Sequence, residues 1–447
     1  MTSHLDVLNR TVEDCALTRP VGRICEITGG LLRCLGLADK AIIGDRVMIK
    51  RRLGAPVWGE IIQIEGRFVD ILPDGAPEGA ALNDRVILHS SRKFAPGNHW
   101  IGRVIDPFGE PIDGKPLLGG TDGMDIMKTP LPAALRAPLG DRINTGLVVM
   151  NTLLPVVRGQ RLGLFAGSGV GKSRLLAKLA QNMEADVVVV ALIGERGREV
   201  NEFVTNVLGE EGMRRAVVVA ATSDRSALMR RRCAWSAQTI AEYFRDQGKH
   251  VLLLSDSITR FAEAHREVAV AMGESPALRG FPPSLNPLIA GLCERAGPGR
   301  NGEGTITAIY SVLVAGSDMD EPVADILRGI LDGHIVLSRA IAERGRFPAI
   351  DVGQSVSRAL PDAANESENA LINEARKLLG TYEQSSVMIQ AGLYNEGADK
   401  QLDQAVRVWP ELDAFIARSE IGGVSDSFGR LELILRRVQS TKERPIG

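Results

Sequence analysis

The chain has 447 residues, 44% of them hydrophobic and 24% charged, with a formal net charge of −2. That length exceeds one compact domain and predicts two or three, while the near-neutral balance argues against a protein that lives on nucleic acid or on an anionic membrane surface. The five cysteines, Cys15, Cys25, Cys34, Cys233 and Cys293, form no CxxC pair and no histidine stands at metal-ligand spacing, so reduced thiols in a cytoplasmic protein are expected.

The first residues carry Asp6, Glu13 and Asp14 without an apolar centre, so no signal peptide is expected. No apolar run approaches the roughly 18 residues of a membrane span, and any membrane association is expected to come through partners. Leu5, Leu8 and Val12 recur at helical spacing, so residues 1–20 read either as a loosely packed first helix or as a docking helix for a partner. Over residues 21–95 the period changes to two, in the runs GRICEI (22–27), DRVMIK (45–50) and WGEIIQI (58–64) separated by glycine and proline breaks. Short strands at such spacing predict a small β-barrel, a packing and oligomer-collar module.

Glycines and prolines crowd residues 94–154, which read as an irregular connection opening the second domain, 96–360. Apolar runs then recur at 162–165, 187–193, 216–221, 251–254 and 306–314, with helical stretches between them. Continuous apolar runs separated by helices predict a parallel sheet buried on both faces, an α/β domain. Strands give out in residues 361–447, where Leu371, Ile372, Ala375, Leu378, Leu379 and Tyr382 share one helical face and 431–438 gives a final helix, so a small helical domain is expected.

Within the α/β domain, the run ending at Phe165 passes into AGSGVGKS at 166–173. Strand, glycine-rich turn and helix in that order are what a phosphate cradle requires. Gly167, Gly169 and Gly171 leave backbone N–H groups free to face phosphate oxygens. Lys172 adds a charge for the outer phosphates, and the Ser173 hydroxyl suits Mg²⁺ at a helix N-terminus. The expected ligand is a nucleoside triphosphate with magnesium. Ala166 stands where the strict pattern has glycine, which is tolerable only at negative φ.

Ligands of open parallel sheets bind beyond the carboxyl ends of strands, and two further runs end in informative residues. The run at 251–254 is followed by Ser255 and Asp256, a carboxylate placed to hold the Mg²⁺ shell; a helix cap is the alternative. The run at 187–193 leads to Glu195, suited to polarise the water that attacks a γ-phosphate; pairing with Arg196 or Arg198 is the alternative. Arg260, Arg339, Arg344, Arg346 and Arg358 lie beyond the sheet, and spacing does not choose among them for a charge-stabilising role.

The segments AGSGVGKS (166–173), GER (194–196), SDSITR (255–260), FPPS (281–284), ERAG (294–297), EPVAD (321–325), LDGHIVLSR (331–339) and SVSR (355–358) together closely resemble the flagellar and virulence type III export ATPases, relatives of the catalytic subunit of rotary ATP synthases. The resemblance covers nearly the whole chain after Val21. It implies a small N-terminal β-barrel, a central RecA-like P-loop domain with a parallel sheet and a C-terminal helical domain, and it accommodates Ala166. Nucleotide contacts are implied for Ala166, Gly167, Ser168, Gly169, Val170, Gly171, Lys172, Ser173 and Arg174, with Phe347 stacking on adenine and Tyr394 as a second aromatic. It further implies Ser173 and Asp256 on the magnesium side, Glu195 as the water-activating carboxylate, Arg196 and Arg260 near the γ-phosphate, and Arg358 as a finger donated to a neighbour's site.

The function so implied is Mg²⁺-dependent ATP hydrolysis by a cytoplasmic homohexamer, peripheral to the inner membrane, that releases flagellar export substrates from chaperones and supports their entry. Implied partners are a stator-like regulator at the N-terminal helix, a stalk protein in the central channel, chaperone–substrate complexes and a membrane export gate, with no nucleic acid. Residues 390–399 resemble the flagellar branch; a virulence secretion ATPase is the runner-up. A non-catalytic rotary subunit would lack the carboxylate or the finger, whereas this chain holds both Glu195 and Arg358. An RNA translocase would need a basic, aromatic-bearing N-terminal face, and the first ninety residues offer only Trp58 and Phe68 as ring side chains without a lysine-rich stripe.

Overall fold

The computed structural model describes residues 18–89, 94–314, 319–420 and 422–440. The docking-helix expectation for the first residues lies outside these. Six strands, β1 (Val21–Thr28), β2 (Leu31–Leu35), β3 (Arg46–Lys50), β4 (Val57–Glu65), β5 (Phe68–Pro73) and β6 (Arg85–His89), close into a barrel in the order β1-β2-β5-β4-β3-β6. Alternation does the work here: Ile24, Leu32, Val47, Ile49, Ile61, Val69 and Ile71 point inward and fill the centre, while the residues between them face out.

The barrel is fastened to the next domain through charge and aromatic contacts. Phe108 lies between two guanidinium groups, Arg46 from β3 at 4.0 Å and Arg232 at 4.3 Å, and the Ser226 hydroxyl donates to Asp74 at 3.1 Å. Contacts of this kind contribute about 0.5–2 kcal/mol each when desolvated.

The second domain is built on a sheet of β7 (Val104–Ile105), β8 (Arg161–Ala166), β9 (Val187–Glu195), β10 (Ala216–Thr222), β11 (His250–Asp256), β12 (Gly297–Pro298), β13 (Thr305–Leu313), β14 (Gly333–Leu337) and β15 (Ile350–Ser357). The order is β15-β14-β8-β13-β11-β9-β10-β7, with β12 paired to β13. Odd and even residues of each central strand serve opposite faces. Val188, Val190, Leu252 and Leu254 join the helix α1 (Lys172–Asn182) and the C-terminal helices on one side. Val187, Val189, Val251 and Leu253 join α2 (Ala227–Arg245) and α3 (Ile258–Ala271) on the other. Both faces are therefore covered, which is why these strands read as unbroken apolar runs.

The sheet is parallel through its centre, and its antiparallel pairs are confined to β15 with β14 and β12 with β13. One expectation is corrected. The connection at 94–154 is not wholly irregular, since Val104 and Ile105 pair in parallel with β10 at the sheet edge. The C-terminal helices are α4 (Glu366–Gln390), α5 (Lys400–Ile416) and α6 (Val424–Ser440). A capping box starts α4, in which Asn365 accepts from the Glu368 N–H and Glu368 reaches back, a device that contributes about 1 kcal/mol. Leu378, Leu412, Phe415 and Leu431 pack these helices onto the α1 side of the sheet. No helix of the described residues is long and apolar enough to cross a membrane.

Candidate active site

The chain leaves β8 and returns three positions away at β9, with β13 and β11 inserted between them. Such a reversal of strand order opens a crevice at the carboxyl ends of the strands, and the loop at 166–173 sits there. Ala166 ends β8 fully buried and is not among the positive-φ residues, so alanine fits. Gly169 (φ 77°) and Gly171 (φ 87°) do need glycine, whereas Gly167 does not. A Cβ on Gly171 would lie 3.1 Å from the Phe347 ring, so the aromatic residue stands directly against the loop. The turn places the N–H groups of Gly167 to Gly171 at the head of α1, the arrangement of an anion cradle. Val170 is buried and anchors the turn, while Ser168, Ser173 and Arg174 are exposed.

Three charged residues converge beside the cradle. Lys172 Nζ contacts Asp256, the last residue of β11, and lies 3.9 Å from Glu195, the last residue of β9. Asp256 also accepts from the Ser311 hydroxyl of β13 at 2.5 Å. Burial, a hydrogen bond with Glu199 and the Asp256 charge push the Glu195 carboxyl up to about 7, against the opposing pull of Lys172. Ser173, Arg174, Glu195, Glu199, Phe203 and Asp256 line a cleft of about 680 Å³ between α1 and the helical segment after β9.

Glu199 and Ser311 were not singled out in the sequence. Glu199 lies in the helical segment Gly197–Glu202 that follows β9, which folds it back toward Glu195; Ser311 is hidden in an apolar strand. The hydroxyl of Ser173 and the carboxylate of Asp256 are the hard oxygen donors Mg²⁺ prefers, and Mg²⁺ normally takes only one or two protein ligands beside phosphate and water. The donor set therefore fits that ion.

The arginines divide. The Arg260 stem packs against Gly194, with Cβ 3.3 Å from a Cβ built there, while its guanidinium donates to Glu263 at 2.8 Å. Arg196 is 82% exposed, with Glu199 3.9 Å away, and does not enter the cleft in this conformation. The Tyr394 hydroxyl donates to Asp403 of α5 at 2.7 Å, which ties the loop between α4 and α5 to α5. Arg358 follows β15 at the opposite end of the sheet from the cradle: its N–H donates to the Asp332 carbonyl, level with Arg161 at the start of β8. At about 3.3 Å per residue the length of β8 alone separates it from its own loop by about 17 Å, beyond the reach of an arginine side chain.

Glu195 has a consequence for stability. Its folded-state carboxyl holds a proton between about pH 4.5 and 7 that the unfolded chain releases, so stability falls as pH rises through that window. Glu195→Gln removes the penalty. In magnesium- and nucleotide-free buffer the variant should be more stable than the parent at pH 8, by roughly 1–3 kcal/mol, with the gap closing toward pH 4.5. Denaturant midpoints across that range measure it; equal midpoints at pH 8 would contradict the assignment.

A glycine cradle at the end of one strand, with the lysine that follows it and two carboxylates from two further strands around it, defines the chain as a P-loop nucleotide hydrolase. Residues 146–357 match the family model of the ATP synthase alpha/beta family, nucleotide-binding domain, and residues 364–420 match that of the T3SS EscN ATPase C-terminal domain. The flagellum-specific ATP synthase of Caulobacter vibrioides is 45% identical over 424 residues, covering 93% of this chain and 96% of that protein. That of Salmonella typhimurium is 42% identical over 433 residues, 94% of each. The chain belongs to the family of flagellum-specific ATP synthases, and it is an ATPase of the type III secretion class. Among solved structures, the assembled ATPase EscN from the enteropathogenic E. coli type III secretion system superposes with a TM-score of 0.85 at 37% identity, covering 93% of this chain and all of that one. The same ATPase in complex with its central stalk EscO gives 0.83, also at 37% identity and with the same coverage.

Proposed function

We propose that the chain hydrolyses Mg²⁺-ATP as a homohexameric ring in flagellar type III export, releasing export substrates from chaperones and supporting their entry. The observation that carries the catalytic part is the convergence of Lys172, Asp256 and Glu195 on the glycine cradle. In this reading the loop N–H groups and Lys172 hold the triphosphate, Phe347 stacks on the base, and Ser173 and Asp256 hold Mg²⁺, which neutralises charge on the phosphates. Glu195 orients the attacking water and takes up its proton; a carboxyl raised toward neutrality is suited to that. Arg260 flanks Glu195, and Arg196 needs only a rotamer change to approach it.

A ring is supported by the place of Arg358 and by the assembled state of the similar ATPase EscN. A stalk protein in the channel is supported by the EscN–EscO complex. The chaperone complexes, the regulator at residues 1–20 and the export gate are part of the same proposal, and the many flagellum-specific relatives favour that branch over virulence secretion.

Glu195→Gln tests the site. The amide keeps the shape and loses the negative charge, so nucleotide binding should stay near the parent value while turnover falls at least ~10²-fold. Equilibrium nucleotide binding and phosphate release measure the two; loss of binding would make Glu195 structural.

A further inference from the structure

At the end of the sheet away from the cradle, an arginine fork ties the start of β8 to the segment that carries Arg358. Arg161 donates to the Asp332 carboxylate from its main-chain N, Nε and Nη2, each at 3.0 Å, and its Nη1 reaches Glu294 at 2.5 Å. The Asp332 main chain is fixed too: its N–H donates to the Arg161 carbonyl at 2.9 Å, and its carbonyl accepts from the Arg358 N–H at 3.1 Å and from Gln160 Nε2 at 3.0 Å. Ser357, just before Arg358, donates to the Pro155 carbonyl at 2.6 Å. The Arg358 guanidinium, by contrast, is exposed and donates to the Arg328 carbonyl at 3.1 Å.

We infer that Asp332, clamped by Arg161, is the positioning residue that sets where Arg358 presents its guanidinium to a neighbouring copy. The inference rests on the reading that Arg358 acts in trans. A long side chain just past the end of an edge strand is aimed by its backbone, and the Arg358 backbone hangs on the Asp332 carbonyl. Bidentate arginine–carboxylate pairs are the charge-assisted bonds that give geometric precision, and a misplacement of about 1 Å can cost on the order of 10² in rate. The clamp also opens β8, the strand whose far end holds the subunit's own cradle, so one strand joins the site a subunit owns to the residue it lends.

The test uses the full chain. Asp332→Asn keeps the main chain and weakens the fork; Arg161→Lys keeps the charge and removes the fork. Each should lower kcat about tenfold or more while KM for ATP, binding of a fluorescent ATP analogue and ring assembly stay within about twofold of the parent. Mixed rings identify the role. Subunits carrying Asp332→Asn should regain activity when co-assembled with Lys172→Ala subunits, which lend an intact arginine, and should not when co-assembled with Arg358→Ala subunits. Normal kcat in both variants would overturn the inference. So would a failure of Lys172→Ala to rescue Asp332→Asn under conditions where it rescues Arg358→Ala. Failure to rescue Arg358→Ala itself would sink the trans reading as well, which separates the two.

Discussion

Lys172→Ala is expected to abolish ATP hydrolysis. In the structure Lys172 contacts Asp256 and lies 3.9 Å from Glu195, so it is the positive charge between two carboxylates that otherwise face each other. Removing it takes away the cradle's side-chain cation and also a group that pulls the Glu195 carboxyl down. The two losses compound: weaker hold on the outer phosphates, and a base that stays protonated to higher pH. A drop of more than ~10²-fold in kcat is expected, since the loss of one charge-stabilising donor in a preorganised site alone costs that much. Phosphate release at saturating Mg²⁺-ATP measures it, and turnover near the parent rate would end the phosphate-loop assignment.

The second large effect concerns Arg358. Because it lies across the length of β8 from its own cradle, Arg358→Ala should bind ATP normally and hydrolyse it on the order of 10³-fold or more slower, the scale of arginine fingers elsewhere. Specific activity of the parent should rise steeply with protein concentration as subunits associate. The decisive mixture combines inactive Arg358→Ala with inactive Lys172→Ala subunits. Some interfaces then pair an intact loop with an intact arginine, so part of the activity should return; no return despite demonstrated co-assembly would place Arg358 in another role.

What could be read from the sequence was the chemistry that demands fixed residue types at fixed spacing. The loop at 166–173, Asp256 after an apolar strand and Glu195 after another converge as expected because parallel strands bring their carboxyl ends together. Strand β15 does not read as an apolar run. At the edge of the sheet, Gly353, Gln354 and Val356 face solvent, and the polar residues of an edge strand erase the signal that buried strands give. Side-chain direction was equally hidden: spacing puts Arg196 beside Glu195, yet it extends into solvent, and only the fold shows that Tyr394 is engaged by Asp403. Glu199 escaped notice because its role depends on a helix bringing it back over Glu195.

The opposite placement of the cradle and Arg358 constrains symmetry. In a ring, the end of the sheet that carries Arg358 and the end that carries the cleft would serve two different interfaces of each copy. With Arg358 acting in trans in a ring, as proposed, contact is heterologous, front to back, with the same direction around every interface. An open run of such subunits always has one complete site fewer than it has subunits, its leading arginine and its trailing cleft both idle. Only closure into a ring employs every copy, so a terminated or capped assembly would lose activity at its two ends rather than uniformly.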